Sequence, residues 1–95
     1  MIKHELKIWP EYFERVLDGS KTFEVRENGR GFQKGDSVTL REFNPAAKEA
    51  DPVWDQLPSV FKSIDHRYTG RVLEFKIGYV YPINEAMVVF SLLKE

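Results

Sequence analysis

The stretch Arg71-Val72-Leu73-Glu74-Phe75-Lys76-Ile77-Gly78-Tyr79-Val80-Tyr81 decides the fold. Leu73, Phe75, Ile77, Tyr79 and Tyr81 alternate with Val72, Glu74, Lys76, Gly78 and Val80, which is the period of a β-strand. Its length makes it the spine of a sheet, and Gly78 marks a bulge within it. Pro82 interrupts the strand, and the apolar run from Met87 to Leu93 then predicts a last strand buried on both faces.

Upstream, Ile2, His4, Leu6 and Ile8 alternate with Lys3, Glu5 and Lys7, predicting a first strand over 2–8. Pro10 suits a first helical position, Glu11 and Glu14 suit the positive helix start, and Tyr12, Phe13, Val16 and Leu17 form an apolar stripe. The helix therefore spans 10–18, with Gly19 as its left-handed C-terminal cap. In the following strand Thr22, Glu24 and Arg26 share one face, while Phe23 and Val25 point the other way, into the core. Lys21 has the parity of Phe23, but the turn entering the strand can redirect it, so its side stays open.

Glycines make 27–31 a loop, and Lys34-Gly35-Asp36 marks a turn. A third strand spans 37–43, and the parity set by Val38 and Leu40 breaks at Phe43, which predicts a bulge, bend or strand end there. Residues 44–69 contain three of the five prolines and no sustained alternation. Within them Leu57, Val60, Phe61 and Ile64 follow helical spacing with Pro58 near the start. That short helix either closes one end of the core or acts as a lid.

With 95 residues, 42% of them hydrophobic and 31% charged, the chain suits one globular domain with one core over 1–95. It contains no cysteine, which removes disulfides and thiolate metal sites and is compatible with a reducing cytoplasm. No apolar run approaches the roughly 20 residues of a membrane span, and residues 1–5 lack the apolar block of a signal peptide. The expectation is a cytoplasmic protein with no membrane partner.

A net charge of −1 provides no global field for holding duplex phosphates. A local basic cleft remains open, with Lys21, Arg26, Arg30, Lys34, Arg41, Arg67 and Arg71 as contributors. Lys21, Glu24 and Arg26 form the densest constellation. A carboxylate beside two cations stays ionised and can orient a guanidinium or accept hydrogen bonds from a base edge, while arginine can grip phosphate in a bidentate manner. The alternative is an exposed ion-pair ladder, which is worth about 0 to 1 kcal/mol.

The spacing G-x-K-x-x-E-x-R over Gly19 to Arg26 resembles the signature of the ASCH domains, a branch of the PUA-like β-barrels. His4-Glu5-Leu6-Lys7-Ile8 with Trp9-Pro10, Phe32-Gln33-Lys34-Gly35-Asp36, Leu40-Arg41-Glu42 and Tyr68-Thr69-Gly70-Arg71 extend the resemblance across most of the chain. They resemble a small ASCH-like group of bacteria and phages whose function is unassigned. The resemblance implies an α+β fold: a small PUA-like barrel of five or six mostly antiparallel strands with one or two helices. It also implies a cleft between helix and barrel that recognises RNA or a nucleoside-like small molecule, lined by Lys21, Glu24 and Arg26, with Arg41 and Tyr68 as further ligand-binding residues.

Some ASCH relatives are amidohydrolases acting on N-acylated cytidine through a lysine, a threonine and a distant glutamate. Lys21 matches the lysine, Glu24 occupies the threonine position, and the insert carrying the distant glutamate is missing. An amidohydrolase of N-acylated nucleosides would therefore need Lys21 and Glu24 as its catalytic pair, with Glu24 as general base and Lys21 or Arg26 stabilising an oxyanion. A third reading is a protein-interaction module whose charged face is merely solvated.

His4 lies on the apolar side of its strand and reads as a packed, hydrogen-bonded histidine, while His66 sits in polar sequence. Two distant histidines without clustered carboxylates predict no metal, and no cofactor is expected. Trp9, Trp54 and Tyr68 are candidates either to stack a base or to pack the fold. Neither a P-loop nor a dinucleotide fingerprint occurs, so side chains would have to hold any nucleotide phosphate. Oligomeric state is left open.

Overall fold

A computed structural model describes residues 1–47 and 67–95. The helix expected over Leu57 to Ile64, Trp54 and His66 lie outside these residues. The described elements run in the order β1 (Lys3–Ile8), α1 (Pro10–Leu17), β2 (Phe23–Glu27), a single 3-10 turn (Asn28–Arg30), β3 (Ser37–Phe43), β4 (Tyr68–Pro82) and β5 (Met87–Lys94). All five strands join one curled sheet in the order β1-β3-β4-β5-β2, a half-barrel. The β1–β3 pair is parallel, and the β3–β4, β4–β5 and β2–β5 pairs are antiparallel.

The concave face holds the core. His4, Leu6 and Ile8 of β1 are buried beside Val38 and Leu40 of β3, Ile77 of β4, and Val88, Phe90 and Leu92 of β5. From α1 only Phe13 and Val16 enter this core, while Tyr12 and Leu17 are about half exposed. Full burial of a side chain of that size is worth about 1.5–3 kcal/mol, enough to dock a helix too short to persist alone. Pro10 opens α1, and Gly19 follows its C-cap, Asp18, with φ +85°, the left-handed geometry expected of it.

The connection from β2 to β3 crosses from one edge of the sheet toward the other. Its Phe32 is buried in the core, its ring centroid 4.6 Å from that of His4 and 4.8 Å from that of Phe90. His4 is buried, and its Nε2 lies 2.9 Å from Asp36 Oδ2. Asp36 also accepts the backbone N–H groups of Ile2 and Gln33 at 3.1 Å. These bonds, led by the His4 contact, hold the Asp36 carboxyl below its ordinary range despite burial.

Three expectations about side-chain direction are corrected. In β2 it is Glu24 that is buried, whereas Phe23 and Val25 are 44% and 43% exposed. The division into two faces holds but its polarity is inverted, because Glu24 stands opposite buried Phe90 and brings its own compensating cations. In β4, Ile77 pairs with Leu92 and Val80 with Phe90, so Gly78 and Tyr79 face Ser91 alone. This bulge shifts the parity, sending Val80 against the core and leaving Tyr79 and Tyr81 exposed. In β5, Val88, Phe90 and Leu92 are buried but Leu93 is exposed, so burial dominates on one face only. The break at Phe43 is a register shift, where Arg41 pairs with Val72 and Phe43 with Tyr68.

A cationic cleft at the seam of the half-barrel

β1 and β2 are the two edges of the sheet, and no strand pairing joins them among the described residues. Arginine side chains bridge them instead. Arg26 Nη2 donates to the carbonyl of Lys7 at 2.7 Å, and Arg30 Nη1, from the turn after β2, donates to the carbonyl of Glu5 at 2.7 Å. Both acceptors are backbone groups of an edge strand, which need partners or water.

Glu24 sets the direction of Arg26. Its carboxylate is buried, receiving Arg26 Nε at 2.9 Å on one oxygen and Lys21 Nζ at 2.6 Å on the other. Lys21 also donates to the Phe23 carbonyl at 2.6 Å, and its Nζ lies 5.2 Å from the Phe23 ring centroid. The helix-to-strand turn thus carries Lys21 across to the Glu24 side. The three residues form one hydrogen-bonded unit, as their spacing suggested, and it is partly buried rather than an exposed ladder.

In front of Arg26 lies a cavity of about 380 Å³ lined by Glu5, Leu6, Lys7, Arg26, Arg30, Arg41 and Tyr68. Parallel pairing sets Lys7 beside Arg41, and the irregularity after Arg41 brings Tyr68 against Phe43 at 5.0 Å between centroids. The Arg41 guanidinium carbon lies 4.1 Å from the Tyr68 ring centroid, and Lys7 Nζ lies 4.7 Å from that of Phe43. The lining thus has four cations, one carboxylate and one aromatic ring. Such a surface can neutralise an anion and stack a planar group.

Among the anticipated residues, Arg26, Arg41 and Tyr68 line this cavity, as does Arg30, anticipated as a contributor to a basic cleft; Lys21 and Glu24 stand behind Arg26. The lining takes no residue from α1. A separate cavity of about 540 Å³ does lie between the end of α1 and the sheet, lined by residues including Leu17, Asp18, Leu73 and Glu74, but it contains none of the anticipated site residues. The cleft inferred between helix and barrel and the residues assigned to it are therefore in different places. Arg71 is drawn elsewhere, to Glu14 at 2.8 Å and Glu42 at 3.7 Å. Trp9 stacks on Tyr12 and lies outside the cleft lining. Lys7 and the edge carbonyls were missed because only the parallel β1–β3 pairing puts them here.

Among the described residues there is no cluster of three metal-ligating side chains and no helix long and apolar enough to cross a membrane. The architecture is that of a small α+β domain, a half-barrel of mixed strands with one helix and a cation-lined seam. The chain belongs to the family described as a domain of unknown function, DUF3850, whose model matches residues 3–92. It is 27% identical over 88 residues to an uncharacterized 12.9 kDa protein in the GpA 3′ region of Escherichia phage P2, a match covering 93% of this chain and 81% of that relative.

Proposed function

We propose that this chain is an ASCH-like, PUA-related module that recognises RNA or a nucleoside-like ligand in the seam cleft. The observation carrying this reading is the convergence of Lys7, Arg26, Arg30 and Arg41 with Tyr68 around one cavity. An aromatic face beside guanidinium groups suits an unstacked base, whose ring stacks while its edges accept hydrogen bonds. With a net charge of −1, the protein has no broad field for coating a polymer, so recognition is confined to the cleft. Glu24 serves as the anchor that aims Arg26. Because each of its oxygens already holds a cation, its geometry suits positioning better than proton abstraction from water.

The test is an NMR titration of the labelled chain with nucleosides, N-acylated nucleosides and short single-stranded RNA, with product followed in the same samples. Saturable shifts around Arg26, Arg41 and Tyr68, lost in Tyr68→Ala, are expected without turnover. Release of the acyl group would replace recognition by hydrolysis. Silence across the panel, with a nuclease-resistant protein partner in pull-downs, would replace it by a protein-interaction role.

A further inference from the structure

Resting on that reading, we propose that the ligand carries a terminal phosphate, held on the Arg26–Arg30 side of the cleft, with its base on the Arg41–Tyr68 side. The two sides differ in chemistry. Arg26 is fixed by Glu24 and the Lys7 carbonyl, and Arg30 by the Glu5 carbonyl. A guanidinium has five N–H donors, so each of these arginines retains donors with no other partner among the described residues. Both are oriented before a ligand arrives, which removes much of the ordering cost of binding. The Arg41 side chain makes no hydrogen bond among the described residues and instead lies over Tyr68, its guanidinium carbon 4.1 Å from the ring centroid, a planar surface for a base.

Charge then favours a phosphate over a neutral nucleoside. With Lys21 and Glu24 behind Arg26 counted, five cations (Lys7, Lys21, Arg26, Arg30 and Arg41) stand against two carboxylates (Glu5 and Glu24), so a neutral ligand would leave a net positive charge to solvent alone. Phosphate oxygens match guanidinium forks in geometry and charge. Size favours a terminal group over an internal one. A cavity of about 380 Å³ lies toward the lower end of the small-molecule range of about 300–1,000 Å³, the scale of one nucleotide. A free nucleotide and a phosphorylated strand end present this same chemistry.

The experiment compares cytidine and adenosine with their 5′-monophosphates, and one short single-stranded RNA with and without a 5′-phosphate, by calorimetry on the full chain. At least a tenfold preference for the phosphorylated member is expected, about 1.4 kcal/mol. It should shrink as pH falls from about 7.5 to about 5.5, because a monoester takes up its second proton near pH 6. Arg30→Gln, checked for folding by circular dichroism, should abolish the preference, while Lys34→Gln, outside the lining, should leave it intact. Tighter binding of the mononucleotides assigns the site to free nucleotide, and tighter binding of the 5′-phosphorylated RNA assigns it to a strand end. Equal affinity with and without phosphate overturns this inference but leaves base recognition standing. Failure of every probe to bind overturns both.

Discussion

The guanidinium of Arg26 lies 2.7 Å from the carbonyl oxygen of Lys7, joining the two strands that bound the sheet on opposite sides. A side chain thus makes a connection that backbone pairing makes in a closed barrel. The bridge depends on a planar group that can reach two acceptors at once, since the same guanidinium holds Glu24 through Nε.

Arg26→Lys should therefore break the bridge while keeping the charge. An ammonium on a flexible stem cannot reproduce the paired contacts to Glu24 and Lys7, and a loss of about 1–2 kcal/mol is expected. Hydrogen exchange should accelerate in β1 and β2 but stay unchanged in the β4–β5 centre. Uniform acceleration across all five strands would show that the bridge has no local role.

Glu24→Gln tests the buried carboxylate. Breaking a buried pair costs about 3–5 kcal/mol, but Lys21 and Arg26 keep 21% and 27% of their side-chain exposure, so water screens part of the loss. We expect a decrease of about 2–3 kcal/mol in urea unfolding, together with weaker ligand binding as Arg26 loses its aim. Wild-type stability would mean that the unit is energetically idle.

Acid should expose the role of Asp36. Its pKa lies below the ordinary 3.8, chiefly through the His4 hydrogen bond, so the folded state favours the ionised form. That contribution is fully present above the unfolded pKa of about 4 and is lost as pH falls through the lower folded value. Urea midpoints between about pH 5 and pH 2 should fall less steeply in Asp36→Asn, which starts from a lower stability, than in wild type. Parallel curves would remove Asp36 from the acid response.

Gly78→Ala probes the bulge in β4. An added Cβ would meet Ser91 Oγ at 2.5 Å, closer than real contacts allow, and Leu93 side-chain carbons at 3.0 Å, a tight contact. Overpacking of this kind costs about 1–3 kcal/mol, readable as a lower urea midpoint. Ser91 also accepts the Tyr79 N–H at 2.8 Å, so it is held where the clash would occur. An unchanged midpoint would show that the bulge relaxes without cost.

Much of the architecture was legible because strand period and helix capping are local properties. Alternation gave β1, β3 and β4 close to their observed bounds, Pro10 and Gly19 bracketed α1, and Gly78 marked its bulge. The face buried in β2 was not legible. Apolar Phe23 and Val25 should turn inward by composition, but Glu24, neutralised by Lys21 and Arg26, takes the buried face instead. The cleft was half legible. The Lys21 motif led to Arg26, but its partners on β1 required knowing that Lys7 runs alongside Arg41 in parallel. Nothing in local sequence encodes which distant strand becomes a neighbour.

The order of the strands also constrains how the molecule comes into being. β2 takes its place beside β5, with Glu24 opposite Phe90, so during synthesis it must wait until nearly all of this sequence has left the ribosome. Until then Phe23 and Val25 belong to an unpaired β-prone segment, a transient invitation to aggregate. Such distant pairings also slow folding by requiring large loops to close first. The cations flanking that segment, Lys21 and Arg26, are therefore well placed to keep the nascent chain soluble before they help to hold the finished one together.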